Sequence, residues 1–243
     1  MKKIALLSLT LLFSSLLWAQ STRNLSSFTK VSAQEGIDVF LKKGSEETAE
    51  IDARGIDEDE VLTEVSGGTL KIHLEGNNHR NIDVKVYVTY VELTGLRSSS
   101  ASSIIVEDAV NTSGDFDIDC SSAGNIDVDV TADEVEIEVS SAADANVNVK
   151  ANSVDIQVSS AGDVDISGSV KEAEINASSS GDVDGYDLVA EEAELRASSG
   201  ASIRITVTEE LEARASSGAD IRYKGSPKYR DSNSSSGGSV KQS

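Results

Sequence analysis

Over most of the chain, apolar and polar residues alternate with a period of two. Val135, Ile137 and Val139 alternate with Glu136 and Glu138, and Val154, Ile156 and Val158 with Asp155 and Gln157. Further on, Ala173/Ile175/Ala177, Ala193/Leu195/Ala197 and Leu211/Ala213/Ala215 are interleaved with Glu174/Asn176, Glu194/Arg196 and Glu212/Arg214. A strand with one buried face gives this pattern. A helix would need apolar residues at three- and four-residue spacing, which these segments lack.

The alternation is itself periodic. Tetrads of two serines and two small residues begin at Ser121, Ser140, Ser159, Ser178, Ser198, Ser216 and Ser235, so the steps are 19, 19, 19, 20, 18 and 19. A weaker tetrad begins at Ser98. Behind each tetrad a second strand starts, with Ile126, Ala145, Val164, Val183, Ile203, Ile221 and Val240 as its first apolar column. Two short strands per unit at a fixed spacing define an all-β fold, a parallel β-helix or β-solenoid, in which each unit is one coil. Coils stack at about 4.8 Å and equivalent residues form ladders. In the tetrads, small side chains let the backbone turn sharply, glycine tolerates positive φ, and stacked serine hydroxyls can bond along the ladder. A disordered chain has no reason to keep these columns apolar.

Residues 20–97 alternate without a fixed period, as in Ile37-Val39-Leu41, Leu70-Ile72-Leu74 and Ile82-Val84-Val86-Val88, separated by longer polar turns. They read as irregular coils with a cap, continuous with the regular coils of residues 98–243 in one domain. A cap is needed because an open solenoid end is a bare sheet edge. At the other end Lys224, Lys228, Arg230 and Lys241 place charge on a partial last coil.

Composition sharpens this picture. The 243 residues carry 42 acids and 21 bases, net −21, with 4% aromatics and one each of Met, Trp, Pro and Cys. So acidic a chain is not a general nucleic-acid binder, nor does it suit anionic lipid surfaces. One cysteine excludes an internal disulfide and a cysteine-based zinc site. A narrow core of Val, Ile, Leu and Ala accounts for the lack of aromatics. Residues 1–19 form a signal peptide: Lys2 and Lys3, then the apolar run Ile4–Leu17, then Ala19 before Gln20. The run is short for a membrane span, and no later segment is apolar enough to cross. Cleavage leaves 19 bases against 42 acids, net −23, in an exported chain without an integral membrane segment.

A signal peptide, Phe28-x-x-Val31, Gly36-Ile37-Asp38-Val39-x-Leu41, Leu70-Lys71-Ile72, the strand Ile82–Val88 and serial SSAG/SSSG coils together occupy residues 25–240. The combination resembles the bacterial domain family called putative auto-transporter adhesin, head GIN domain. Asp38 stands where the family's Gly-Ile-Asn signature has Asn. The resemblance implies a right-handed parallel β-helix, exported to the periplasm, the outer surface or the medium of a Gram-negative bacterium. It implies no residue-level site. The chain carries no C-terminal β-barrel translocator segment of the kind the family name suggests.

For chemistry, the first candidate is an acid ladder in which Asp163 stacks on Asp182 and Asp165 on Asp184, with Asp127 and Asp129 one and two coils below. Stacked carboxylates repel, so a weakly bound divalent cation would relieve them; a solvated face that keeps the protein soluble is the simpler reading. His73 and His79 lie near a polar turn without a second ligand pair. Cys120 reads as a small buried residue beside a corner. No Gly-x-Ser-x-Gly elbow occurs. The ladder Arg196–Arg214 and the ladder Arg204–Arg222 oppose Glu194, Glu212 and Asp220. Coils of 18 to 20 residues leave no room for loops that would wall a substrate cleft. No catalytic or cofactor-binding residue is assigned. The expected function is a non-enzymatic adhesin or cell-envelope interaction protein that binds a surface glycan or protein. Two alternatives are a polysaccharide lyase or hydrolase on a β-helix and a structural module that forms homo-oligomers.

Overall fold

The protein is described by a computed structural model that covers residues 22–76 and 80–243. The signal segment and residues Asn77, Asn78 and His79 lie outside the described residues. The chain starts with β1 (Thr22–Asn24), β2 (Lys30–Ala33), β3 (Asp38–Lys43) and β4 (Thr48–Arg54). A 3-10 turn at Glu58–Glu60 leads to β5 (Val61–Ser66), β6 (Thr69–Leu74) and β7 (Asp83–Tyr90). Then come β8 (Gly95–Ser98), β9 (Ser103–Val106), β10 (Val110–Asn111), β11 (Phe116–Cys120) and β12 (Asn125–Thr131). The strands β13 (Glu134–Val139), β14 (Asp144–Lys150) and β15 (Ser153–Val158) precede three long ones, β16 (Asp163–Ala177), β17 (Asp182–Ala197) and β18 (Ser202–Ala215). The last are β19 (Asp220–Lys224), β20 (Tyr229–Ser234) and β21 (Ser239–Gln242).

These strands build a β-solenoid with two long walls. One runs β5-β6-β2-β8-β11-β13-β15, then through the second halves of β16, β17 and β18 to β20. The opposite wall runs β1-β4-β7-β3-β9-β12-β14, then through the first halves of β16, β17 and β18 to β19 and β21. From β8 onward every pairing is parallel, in the register that the repeat predicts. Ile126 stacks on Ala145, Val164, Val183, Ile203, Ile221 and Val240.

The irregular half owes its irregularity to stacking order. β2 lies between β6 and β8, and β3 between β7 and β9. The chain's second coil therefore sits outboard of its first, and the third returns to the inner side. The excursion needs antiparallel strands: β4 pairs with β7 and β5 with β6. The β5–β6 hairpin turns at Gly67 and Gly68, both at positive φ (59° and 77°), as a tight two-residue hairpin turn demands. Among the described residues, β4 is flanked on its outer side by the three-residue β1, whose Arg23 donates to the carbonyls of Val61 and Glu58. This end is closed by short and antiparallel pieces rather than left as an open parallel edge.

At the tetrad corners the second and third residues adopt left-handed conformations, for example Ser122 (φ 53°) with Ala123 (59°) and Ser217 (52°) with Gly218 (79°). The fourth residue's N–H donates to the first residue's carbonyl, as Gly124 does to Ser121. Each turn also bonds to the next, Ala123 N–H to Ser141 O, Ala142 to Ser160 and Ala161 to Ser179. The expectation about tetrad glycine needs correction. In SSAG the positive angles fall on Ser and Ala, while the glycine is required for closeness: a Cβ at Gly124 would lie 2.7 Å from Ser98 O. The ladder along the corner is held by these backbone amides. The weak first tetrad is also shifted by one residue. Ser99 is equivalent to Ser121, and Ser98 takes the inward place that Cys120 holds one coil on. Ser98 is buried, and its hydroxyl donates to Ser102 O at 2.8 Å.

A second correction concerns strand count per coil. In three successive coils the two strands merge into one bent strand of 14 to 16 residues, β16, β17 and β18, before the chain returns to separate strands β19, β20 and β21. In β16 the bend is at Gly168 (φ 117°), where a Cβ would lie 1.9 Å from Val149 O. Inside, Val139, Val158, Ala177, Ala197 and Ala215 taper along one column. The large rings Phe28, Tyr90, Phe116 and Tyr223 are buried.

Candidate functional site

Outward columns carry the chemistry, because each strand turns alternate residues to solvent. On the β13 wall, Asp117, Glu136, Asp155, Glu174, Glu194, Glu212 and Asp231 form one unbroken column of carboxylates. This column is longer than the Asp163–Asp182 and Asp165–Asp184 ladder of the opposite wall. Its signal was present as the first polar position between the apolar residues of each strand that precedes a tetrad. Desolvation raises the carboxyls of exposed Glu136 and half-buried Asp155 above their ordinary range, and neighbouring carboxylates add to it.

The column beside it is different. It reads Asp119, Glu138, Gln157, Asn176, Arg196, Arg214 and Asn233. It passes from acids through two amides to two guanidiniums and ends on an amide, and Asn176, Arg196 and Arg214 reach across to the acid column. Asn176 donates to Glu174 at 3.2 Å. Arg196 pairs with Glu194 and, at 3.3 Å, with Glu174. Arg214 pairs with Glu212 at 3.0 Å and Asp231 at 2.7 Å. The opposition of arginine and acid expected from the sequence is realised here.

Between this column and the tetrad corners runs an open groove of about 900 Å³. Its floor is the first serine of successive tetrads, Ser140, Ser159, Ser178, Ser198, Ser216 and Ser235. The exposed turn tips rise on the far side. The groove follows the solenoid axis past seven residues of the amide–arginine column, six steps of about 4.8 Å, or about 29 Å. Such a shape accommodates an extended chain rather than a compact metabolite.

On the opposite wall, Asp163 stacks on Asp182 and Asp165 on Asp184, as the repeat implies. Asp127 joins the Asp165 column with Asn146 between them, whereas Asp129 belongs to the next column, with Asn148, Ser167 and Asp187. Burial first, then Asp165 and Asp182, raises the Asp163 carboxyl. Arg204 Nη1 reaches Asp182 at 2.9 Å and Asp184 at 3.8 Å, so a guanidinium supplies positive charge at the upper end of the ladder. Asp165, Asp184 and Asp187 border a small hollow of about 360 Å³. Among the described residues no group of three His, Cys, Asp or Glu is placed to hold a metal ion.

The remaining candidates are separate from both places. His73 lies within β6, not in the turn, with Nε2 3.8 Å from Glu64. Cys120 is buried, its thiol directed at Asp144 O (3.4 Å) and pushed up to about 12 by burial. Phe40 and Tyr87 stack on each other at 5.2 Å, each covering one face of the other's ring. Lys224 lies over the Tyr186 ring, Lys228 pairs with Glu209, and Arg230 donates to the Tyr223 hydroxyl.

The family described as putative auto-transporter adhesin, head GIN domain, matches residues 27–227. Three solved structures share the fold. A putative lipid binding protein from Parabacteroides distasonis is 21% identical, with 92% of this chain and 96% of that one covered and a TM-score of 0.82. A putative adhesin from Parabacteroides merdae is 17% identical, with 93% and 95% covered and a TM-score of 0.86. A second putative adhesin from P. distasonis is 19% identical, with 92% and 96% covered and a TM-score of 0.85. No curated protein matches the chain. Among the described residues, no helix is long and apolar enough to cross a membrane.

Proposed function

The chain belongs to the putative auto-transporter adhesin, head GIN domain family, and from that premise we propose that it is an exported, non-enzymatic solenoid that binds a surface polymer, glycan or protein, of the cell envelope. The lengthwise groove carries this reading. It is long, open and lined by side chains that repeat with the coils. A polymer meets such a surface many times over, so weak contacts add through repetition. The descriptions of the relatives as adhesins agree with it, and a fold alone would not suffice.

Catalysis is not part of the proposal. General acid–base work needs a singled-out pair of groups with distinct environments, whereas the carboxylates here recur on coil after coil. The test is an array of envelope glycans and proteins probed with the mature protein, with every bound species checked by mass spectrometry. Retention of at least one polymer without new products is the expected result. Cleavage products would assign the protein to the enzymes. A stable homo-oligomer with no polymer retained would point to a structural module.

A further inference from the structure

We infer that the outer face of β19 and β21, at Arg222, Lys224 and Lys241, is a binding site for the oxyanion group of an acidic sugar, a carboxylate or a sulfate or phosphate ester carried by an envelope polysaccharide. The site rests on the reading of the protein as a polymer binder, and it lies on the wall opposite the groove.

The charge of the chain changes sign at this end. Residues 213–243 hold six of the 21 bases but only two of the 42 acids. Three of the six bases are committed. Arg214 pairs with Glu212 and Asp231, Lys228 with Glu209, and Arg230 donates to the Tyr223 hydroxyl. The other three share one surface. Arg222 and Lys224 are successive outward residues of β19, about 6.6 Å apart along the strand, and Lys241 stands beside Arg222 one coil on, about 4.8 Å away. Arg222 donates to Asp220 through Nε, at 2.6 Å, which leaves its two Nη groups as an open fork. Lys224 and Lys241 form no ion pair among the described residues, whereas a base such as Lys85 lies between Asp38 and Asp52 in its ladder.

A break in the repeat completes the site. The register between β17 and β18 jumps from Gly185 to Val189, and the bulge carries Tyr186 out of its own coil. Thr206 Oγ1 donates to the Tyr186 carbonyl at 2.8 Å. The Tyr186 ring meets Lys224, two coils on, with Nζ 4.1 Å from its centroid, and its hydroxyl lies 2.8 Å from Ser243 Oγ. Hydroxyl donors therefore stand beside the cations.

Asp220 reports the field that an anion meets here. It belongs to the column of Asp163, Asp182 and Ser202. Burial and then neighbouring carboxylates raise the Asp163 carboxyl. The hydrogen bond from Arg222 holds the Asp220 carboxyl below its ordinary range, helped by Ser239 and Lys241. Three coils thus turn a surface that disfavours an anion into one that stabilises it.

The patch is small and bounded, and this selects the ligand. Toward the middle coils the Arg222 column continues through Arg204, already bonded to Asp182, to Asp184 and Asp165. A rod of phosphates laid along the axis would meet carboxylates within two coils, which excludes a nucleic-acid duplex. A single oxyanion on a sugar fits. The guanidinium fork takes two of its oxygens, the two ammonium groups flank it, and the Tyr186 and Ser243 hydroxyls suit hydroxyls of the sugar ring.

The test is calorimetry on the mature chain at about 50 mM salt. The probes are galacturonate oligosaccharide, sulfated dextran oligosaccharide, plain dextran and phosphatidylglycerol vesicles. At least one acidic oligosaccharide should bind, and raising salt to about 500 mM should weaken it by about fivefold or more. The triple variant Arg222→Gln/Lys224→Gln/Lys241→Gln should weaken it by about tenfold or more. The triple variant Lys42→Gln/Lys150→Gln/Lys171→Gln, which changes net charge equally, should leave it within about twofold. All six positions are exposed, so both variants should melt within a few degrees of the parent. Equal weakening in the two variants, or binding that survives the first, overturns the site. Vesicle binding that depends on the three bases, without binding of either acidic oligosaccharide, overturns the sugar ligand. Failure of both acidic probes while the envelope array retains another polymer or a protein overturns this inference and leaves the parent reading intact. An array that retains nothing removes both.

Discussion

At the scale of single residues, the solenoid sorts side chains by parity, and neighbours in a ladder then set their chemistry. Cys120 shows the effect. It takes an inward position in the column that Ser98 and Val139 share, and there burial pushes the thiol up to about 12. The thiolate is the reactive form. At pH 8 the native protein should react with a disulfide reagent about a thousandfold more slowly than an exposed cysteine whose pKa is near 8.5. After unfolding it should react at the ordinary rate, with one equivalent per chain. Rapid labelling of the native protein would show that the corner opens or that the thiol lies elsewhere. The sequence placed Cys120 inside through its neighbours in the alternation. It gave no hint of the thiol's bond to Asp144 O, because that carbonyl arrives from the next coil.

At the scale of elements, the decisive feature is that two kinds of glycine do different work. Gly218 lies third in its tetrad at φ 79° with open space around it, and Ala123, Ala142 and Ala161 occupy the same place at φ 57–59°. Gly168 is at φ 117°, with the Val149 carbonyl where a Cβ would stand. Replacing Gly218 by Ala should therefore cost less than about 1 kcal/mol. Gly168→Ala should cost more than about 2 kcal/mol, because both the angle and the contact oppose it. Urea unfolding of the two variants checks the difference, and equal losses would contradict the assigned geometry. The tetrads were legible as corners from composition alone. Their internal division of labour was not, since positive φ on Ser and Ala depends on amides contributed by the adjacent turn.

At the scale of the molecule, nearest-neighbour stacking means that a coil is replaceable as a unit. Removing residues 140–158 joins Val139 to Ser159 and keeps every column in register, with Asp165 now next to Asp127. This shortened protein should fold and unfold cooperatively, with a melting temperature lower by roughly 5 °C. Removing only residues 140–150 deletes β14 from one wall and nothing from the other, and should give an aggregating or unfolded chain. Circular dichroism and size-exclusion chromatography distinguish the two. A half-coil deletion that melted as well as the full-coil deletion would refute the two-wall stacking. The irregular half should not tolerate equivalent excisions, because β6 and β7 depend on β2 and β3, which precede them in sequence and lie inboard in space.

The sequence alone determined which residues face inward, the length of a coil and the parallel register. All three follow from a period-two alternation repeated at near-constant spacing, and local physics enforces them wherever one face must be buried. Tertiary structure decided what sequence spacing cannot encode. It put the second coil outboard of the first and closed that end with antiparallel strands. It also set the amide–arginine column beside an unbroken acid column, with a groove at its foot. These outcomes depend on which surfaces are left uncovered once the coils have stacked, and therefore on contacts between residues far apart in the chain. The net charge of −21 is visible in the composition; its sorting into a carboxylate column screened by arginines exists only in the folded stack.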